Sequence, residues 1–374
     1  MVISWFTENY PPNKGGMARS CDRIINSLRK HHTVNIYHFT NKMKAFETVA
    51  QVNGNYTAIP VFEDSAHTLN TLWTFINNNS DITHSKALVA YGSHLCLKGL
   101  PLIAKWTKQP LLICFRGNDF DTAIFSQKKQ DVLFAIKHAT AIACVTKEKV
   151  NRIKALQLNN NVFFTPNAIN TNHWKVLPSD LDLAKTLTKK INVPQNSLII
   201  GFVGYLKQKK GIDFFINGLK KSTLYKRVHL HFVGDLEPHI TWQLNAHNIS
   251  HSIAKPESQT DLMANYLMCN AIAIPSIYDG MPNVIFEAAT LKVPIIASNV
   301  GGITDVLNNN NSFIFKSLIE SSLINTLNNF YATNTETIQQ KSNKLELLIK
   351  TKYTPESEIS NYLKIIENMH SYEN

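Results

Sequence analysis

The chain has 374 residues, 17% charged and 44% hydrophobic, which fits a folded protein of roughly two domains and excludes a disordered one. A formal net charge of +11 points to an anionic partner: a nucleic acid, a membrane surface or a phosphorylated substrate. Cys21, Cys96, Cys114, Cys144 and Cys269 are odd in number and form no CxxC pair. That argues against a disulfide framework or a zinc module and favours a reducing compartment.

In chain order, Val2–Phe6 reads as a buried strand. It is too short and carries no basic n-region, so no signal peptide is expected, and no later apolar run reaches the roughly 20 residues of a membrane span. Gly15-Gly16 follows, then a helix over Met17–His31 with Ile24, Ile25 and Leu28 at helical spacing. Val34–Phe39, Leu111–Phe115 and Ala141–Val145 are further strands. A polar stretch over His173–Gln195 reads as a domain boundary. The alternation then restarts with strands at Leu198–Val203, Val228–Val233, Ala271–Pro275 and Val293–Ser298, and a helix over Asn283–Leu291. Short apolar strands with helices between them predict parallel sheets covered on both faces. Thr354, Pro355, Glu356 and Glu358 form a helix start, and Ile359, Tyr362, Leu363 and Ile366 give that last helix an apolar stripe.

Three loops carry candidate chemistry. Pro11-Pro12-Asn13-Lys14-Gly15-Gly16 follows the first strand, where adjacent glycines and a helix start suit an anion, or form an ordinary turn. Gly204–Gly211 holds Lys207, Lys209 and Lys210 at a strand's carboxyl end, where ammonium groups suit a diphosphate; a solvated basic turn is the plainer reading. The third, Pro275-Ser276-Ile277-Tyr278-Asp279-Gly280-Met281-Pro282-Asn283-Val284-Ile285-Phe286-Glu287, spaces two carboxylates eight positions apart across a helix start. A buried Glu287 calls for a hydroxyl-rich or cationic partner. GxGxxG and GxxxxGK[ST] are both missing, which argues against a dinucleotide dehydrogenase and a P-loop enzyme.

In this order the loops, with Pro166-Asn167-Ala168, Val233-Gly234-Asp235 and Ser298-Asn299-Val300-Gly301-Gly302, resemble the retaining glycosyltransferases of family 4 (glycosyl transferases group 1) over nearly the whole chain. The resemblance implies an α/β GT-B fold: two Rossmann-like domains facing each other across a cleft, with a C-terminal helix crossing back to the first. The implied division is 1–175 for the acceptor, a linker at 176–196, 197–353 for the nucleotide-sugar, and 354–374 for the returning helix. By resemblance Glu287 takes the ribose hydroxyls and Asp279 lies near the donor sugar. Gly280, Met281 and Asn283 offer amides to the sugar or phosphate, Lys210 neutralises the diphosphate with Lys207 or Lys209 standing in for the family's phosphate-binding Arg, and Gly16 admits the donor phosphates. Arg116, where the family usually has His, is implied to contact the donor sugar. Asn118, Asp119 and Asn167 are implied sugar or acceptor contacts. Tyr205 stands where the family often has Arg, Asp279 where Glu is more usual, Lys292 and Ala168 where Gly is usual.

The implied activity is transfer of a sugar from a nucleotide-diphospho-sugar to a carbohydrate or lipid-linked acceptor, with retained configuration, without metal or cofactor. Arg19, Arg23, Arg29 and Lys30 on the first helix suggest contact with an anionic membrane, hence a cytoplasmic protein peripheral on the inner face. Rival readings are a metal-dependent transferase using Asp119-Phe120-Asp121 or Asp180-Leu181-Asp182, a nucleic-acid-binding protein, a phosphorylase of the same fold, and a catalytically idle nucleotide-sugar-binding protein. No recognised nucleic-acid module and no HxxxH or HExxH pattern is present.

Overall fold

The structure, a computed structural model, describes residues 1–13 and 15–372. Lys14 of the first loop and residues 373–374 lie outside them. The chain divides into two compact units. The first is Met1–Asn167 with Pro355–Asn374, the second Ala168–Thr354.

The first unit is built on β1 (Val2–Thr7), β2 (Thr33–Thr40), β3 (Glu47–Gln51), β4 (Gly54–Pro60), β5 (Ala87–Tyr91), β6 (Leu111–Phe115), β7 (Ala141–Cys144) and β8 (Val162–Phe164). Their spatial order is β3-β4-β2-β1-β5-β6-β7-β8. All pairings are parallel except β3 with β4. Every residue of β5, β6 and β7 is buried, as expected of strands covered on both faces. The edge strand β3 is exposed throughout.

The helix Pro355–Asn368 belongs to this unit. Ile359, Tyr362, Ile365 and Ile366 are buried in the same core as Trp5, Ile24 and Tyr91. Tyr362 meets the Trp5 ring edge-on at 6.0 Å. Each such side chain stabilises the docked helix by roughly 1.5–3 kcal/mol before ordering costs. A two-pronged ion pair, Arg23 Nε and Nη2 to Glu358 at 3.0 Å each, fixes its rotation.

The second unit contains β9 (Leu198–Val203), β10 (Val228–Val233), β11 (His251–Ala254), β12 (Ala271–Ile274), β13 (Ile295–Ser298) and β14 (Phe313–Phe315), all parallel, in the order β11-β10-β9-β12-β13-β14. The expected linker at 176–196 is largely a helix, Pro178–Lys190, which packs on the helix Gln259–Leu267 of this unit. Leu183, Ala184 and Leu187 are its inward-facing apolar positions. That stripe is narrow, and the surrounding charges mask it in the sequence. The division between units falls at Asn167/Ala168, ahead of the expected 175.

Open parallel sheets bind ligands outside the carboxyl ends of the strands where the strand order reverses. In the first unit that point lies between β1 and β5, in the second between β9 and β12.

Candidate functional site

The loops leaving β9 and β12 are the lysine loop and the two-carboxylate loop. They are locked together by backbone. Ile277 N donates to Lys209 O at 2.8 Å. Gly211, at φ +68°, passes so close to the second loop that a β-carbon there would lie 2.0 Å from Pro275 O. Gly302 N donates to Gly280 O at 2.9 Å, and Ser298 Oγ to Ser276 O at 2.6 Å.

This framework brings together residues far apart in sequence. Lys210 Nζ donates to Asp279 Oδ2 at 2.5 Å, and Ser276 Oγ to the same oxygen at 3.3 Å. Gly280 N donates to Asp279 Oδ1 at 3.0 Å, and Lys209 Nζ stands 3.8 Å from that oxygen. Burial alone would push the Asp279 carboxyl up, but the charges of Lys210 and Lys209 and the hydrogen bonds of Lys210 and Ser276 outweigh it and hold it below the usual range. The pair is half-sheltered: the Lys210 side chain is 19% exposed and that of Asp279 11%. Lys207 Nζ lies 4.5 Å from the centre of the exposed Tyr205 ring and Lys209 Nζ 5.4 Å from that of Tyr278, so both cations rest on aromatic faces.

Beyond Asp279, the helix Asn283–Thr290 starts at Pro282 without a side-chain cap, leaving its first amides for an incoming acceptor. Met281 is buried, and Asn283 Oδ1 is buried without a hydrogen-bond partner. One turn in, Glu287 is buried and accepts from Tyr266 Oη at 2.5 Å. Tyr266 is itself fully buried, edge-on to Trp174 at 6.0 Å. Beneath β10 and β11 lies a closed polar ladder. His229 contacts Ser250 and Ser252 at 2.8 Å, and His231 contacts Ser252 and Asn265 at 2.7 Å. Burial, then His231 and His251, push the His229 imidazole down to about 4.

In the first unit the expected residues are placed differently. Arg116 follows β6, but its guanidinium turns inward. Nη1 donates to Thr165 O at 3.3 Å and to Tyr362 Oη at 2.9 Å, and Nη2 to Asn167 Oδ1, with Glu358 at 3.8 Å. Arg116 therefore docks the returning helix rather than opening toward a sugar, and Asn167 is its partner. Asp119 accepts from Arg116 N at 2.8 Å and Gly117 N at 2.5 Å, shaping the loop. Asn118 is exposed, and Gly16 opens the first helix from Gly15 at φ +124°. The switch point of this sheet instead carries Glu8, which accepts from Ser93 Oγ and, at 3.2 Å, from Leu95 N. Asn9 Nδ2 donates to Gly92 O at 2.5 Å. No sequence motif gives these residues a role, and none gives one to Tyr266 or Ser276; strand-end position is the signal that marks Glu8 and Ser93.

Both Asp-x-Asp pairs are engaged. Asp121 is ion-paired to Lys149 at 2.7 Å and Arg152 at 3.6 Å, and Asp180 Oδ2 accepts from Leu177 N at 2.8 Å. Among the described residues no three His, Cys, Asp or Glu side chains gather as a metal site.

Residues 184–344 match the family model for glycosyl transferases group 1. This region is similar to the glycosyl transferases group 1 family. The Lys210–Asp279 pair and Glu287 all lie inside it. The TuaC protein of Bacillus subtilis, whose name places it in teichuronic acid biosynthesis, is 25% identical over 130 residues, 35% of this chain and 32% of that one. An uncharacterised glycosyltransferase of Methanocaldococcus jannaschii is 24% identical over 159 residues, 39% of this chain and 40% of its own. The matches thus span a third to two fifths of these relatives. Among solved structures, a sucrose-phosphate synthase from Thermosynechococcus elongatus matches with a TM-score of 0.81, covering 99% of each chain at 12% identity. Anabaena HepE, in complex with UDP and glucose, matches with a TM-score of 0.75 at 15% identity, covering 99% of this chain and 100% of that one. The chain thus has a GT-B fold made of two Rossmann-like α/β units, and the residues that match the family model lie in the second.

Proposed function

We propose that the chain is a retaining, metal-independent glycosyltransferase that moves a sugar from a nucleotide-diphospho-sugar to a hydroxyl acceptor in cell-surface polysaccharide, lipopolysaccharide or glycolipid synthesis. The observation that carries this is the Lys210–Asp279 pair beside an uncapped helix start at the β9/β12 switch point, with buried Glu287 one turn further on. Cleaving a sugar–phosphate bond builds positive charge on the anomeric carbon and negative charge on the departing diphosphate. Lys210, Lys207 and the helix-start amides stabilise the second. Asp279 accepts from a sugar hydroxyl and Glu287 from the ribose. The UDP and glucose bound by HepE support the donor class, and the teichuronic acid synthesis for which TuaC is named supports the polymer class.

A panel of UDP-, GDP- and ADP-sugars read by thermal shift tests the donor reading, since a ligand of the native state raises the melting temperature by mass action. Turnover of none of them with any acceptor makes the idle nucleotide-sugar-binding reading the correct one. Proton NMR of the product tests retention, and an inverted anomer overturns it. Activity is expected to survive a chelator; its loss would revive the metal-dependent reading.

The acceptor class includes lipid-linked chains at an anionic membrane, but the surface differs from the one the first helix suggests in the sequence. Arg23 is paired with Glu358, and Arg29 is buried, donating to Val34 O and Asn55 O at 2.8 and 3.1 Å. Arg19 on the first helix, Gly16–Leu28, is exposed, as is Lys30, which lies past its end. The basic surface lies further along: residues 94–160 hold 11 of the 38 Lys and Arg but four of the 27 Asp and Glu. The packed helices His94–Thr107 and Lys129–His138 expose Lys105, Lys129 and Lys137 beside Leu102, Trp106 and Phe134. Salt-sensitive binding to vesicles containing phosphatidylglycerol is expected, and equal binding to neutral vesicles would remove this partner. No helix among the described residues is long and apolar enough to cross a membrane.

A further inference from the structure

We propose that Asp279 is the resident counter-ion of Lys210, holding the diphosphate seat in the free protein and favouring a sugar-bearing nucleotide over the bare diphosphate. The inference deepens the donor reading above and rests on it for the identity of the ligand.

The geometry is that of an occupied anion site. One oxygen of the Asp279 carboxylate accepts from Lys210 Nζ at 2.5 Å and Ser276 Oγ at 3.3 Å; the other accepts from Gly280 N at 3.0 Å with Lys209 Nζ at 3.8 Å. These are the donor types that bind a phosphate: two ammonium groups, a hydroxyl and a backbone amide. The arrangement is not a chance meeting of two flexible side chains. Lys210 ends a turn whose next residue, Gly211, is pressed against Pro275 O, and Ile277 N reaches back to Lys209 O at 2.8 Å. Both ends of the pair are set by backbone that cannot shift independently.

Two ligands would treat this carboxylate in opposite ways. A nucleotide-diphospho-sugar brings hydroxyl donors next to the diphosphate. Asp279 can release Lys210 to the phosphates and accept from those hydroxyls instead, so its carboxylate stays hydrogen-bonded, with Lys209 at 3.8 Å beside it. A bare diphosphate brings acceptors alone. It takes Lys210 and leaves the carboxylate facing phosphate oxygens, a like-charge contact in a half-sheltered site. Asp279 would then resist the sugar-free diphosphate and speed its departure after transfer. No covalent step is added: the ion pair reforms as the diphosphate leaves.

The probes are inorganic pyrophosphate and UDP, titrated calorimetrically into the full chain at low salt. Asp279→Asn is expected to bind both about tenfold more tightly than the wild type, an effect that shrinks as salt rises. Lys210→Ala is expected to abolish pyrophosphate binding in either background. Equal or weaker pyrophosphate binding by Asp279→Asn overturns the proposal. A melting curve shows that the variant is folded, and Asp279→Ser repeats the test with a smaller neutral side chain. The two readings fail separately. If no nucleotide-sugar binds the wild type while Asp279→Asn still tightens pyrophosphate, the donor reading falls and the counter-ion stands. If a nucleotide-sugar binds and the variant does not tighten pyrophosphate, the counter-ion alone falls.

Discussion

Arg116 and Lys210 both stand in loops beyond the carboxyl end of a parallel strand, yet the Arg116 side chain is 2% exposed and the Lys210 side chain 19%. Arg116 meets two carbonyl-type oxygens, a phenol and a carboxylate, all from its own unit. Lys210 meets one carboxylate that a ligand can replace. The difference teaches that a strand-end position marks where a site can be, while the state of the cation's hydrogen bonds decides whether it is one. Planar, five-donor arginine suits a permanent junction; the single ammonium of lysine suits exchange.

The largest expected effect tests the junction. Arg116→Ala removes the buried cation that Thr165 O, Tyr362 Oη and Asn167 Oδ1 share, while Glu358 keeps Arg23, so unfolding in urea should show a loss of about 3–5 kcal/mol. A variant that is as stable as wild type but inactive would break the comparison and return Arg116 to the reaction. Next comes Lys210→Ala. Loss of a preorganised charge at a developing anion costs about 10²–10³ in turnover, or roughly 2.7–4 kcal/mol; the melting temperature should fall by less than in Arg116→Ala, because Lys209 stays 3.8 Å from Asp279.

The third tests whether buried polar groups of the second unit are also structural. His229 is neutral when folded, with its pKa pushed down to about 4, whereas an exposed histidine titrates near 6.5. Between these values the unfolded chain binds more protons, so stability rises with pH. The full contribution is present above about pH 6.5 and is lost as pH falls toward 4, by about 3 kcal/mol. Melting curves across that range should steepen this way, and His229→Gln should flatten them. The smallest effect is that of Tyr266→Phe. It deletes one hydrogen bond to the Glu287 carboxylate, and about 2 kcal/mol of stability is expected to go with it. Urea titration checks this value, and a change below the error would mean that other groups already hold Glu287.

Much of this architecture is written locally. Continuous apolar strands such as Leu111–Phe115 announce a sheet covered on both faces, and Gly211, Gly280 and Pro282 announce tight loops. What the sequence hides is partnership at a distance. Lys210 and Asp279 are 69 positions apart, and Arg116 and Tyr362 are 246 apart. Only the fold makes them neighbours. Arg116 is implied to face the donor sugar by its place in the family's loop, and its partners lie 49, 51 and 246 positions away. Tyr266 gives no sign of a role because its hydroxyl matters only where Glu287 is buried. The helix Pro178–Lys190 is masked for a different reason: its inward stripe is three residues wide in a charged segment.

The returning helix also sets an order of events during synthesis. The first unit takes its last structural element from Pro355–Asn368, so a ribosome must make the whole of Ala168–Thr354 before that unit can close. Until then the face that receives Tyr362 is open, and Arg116 waits without two of its partners. Domains emerging from the ribosome usually finish in chain order. Here the second unit, continuous in sequence, can finish first.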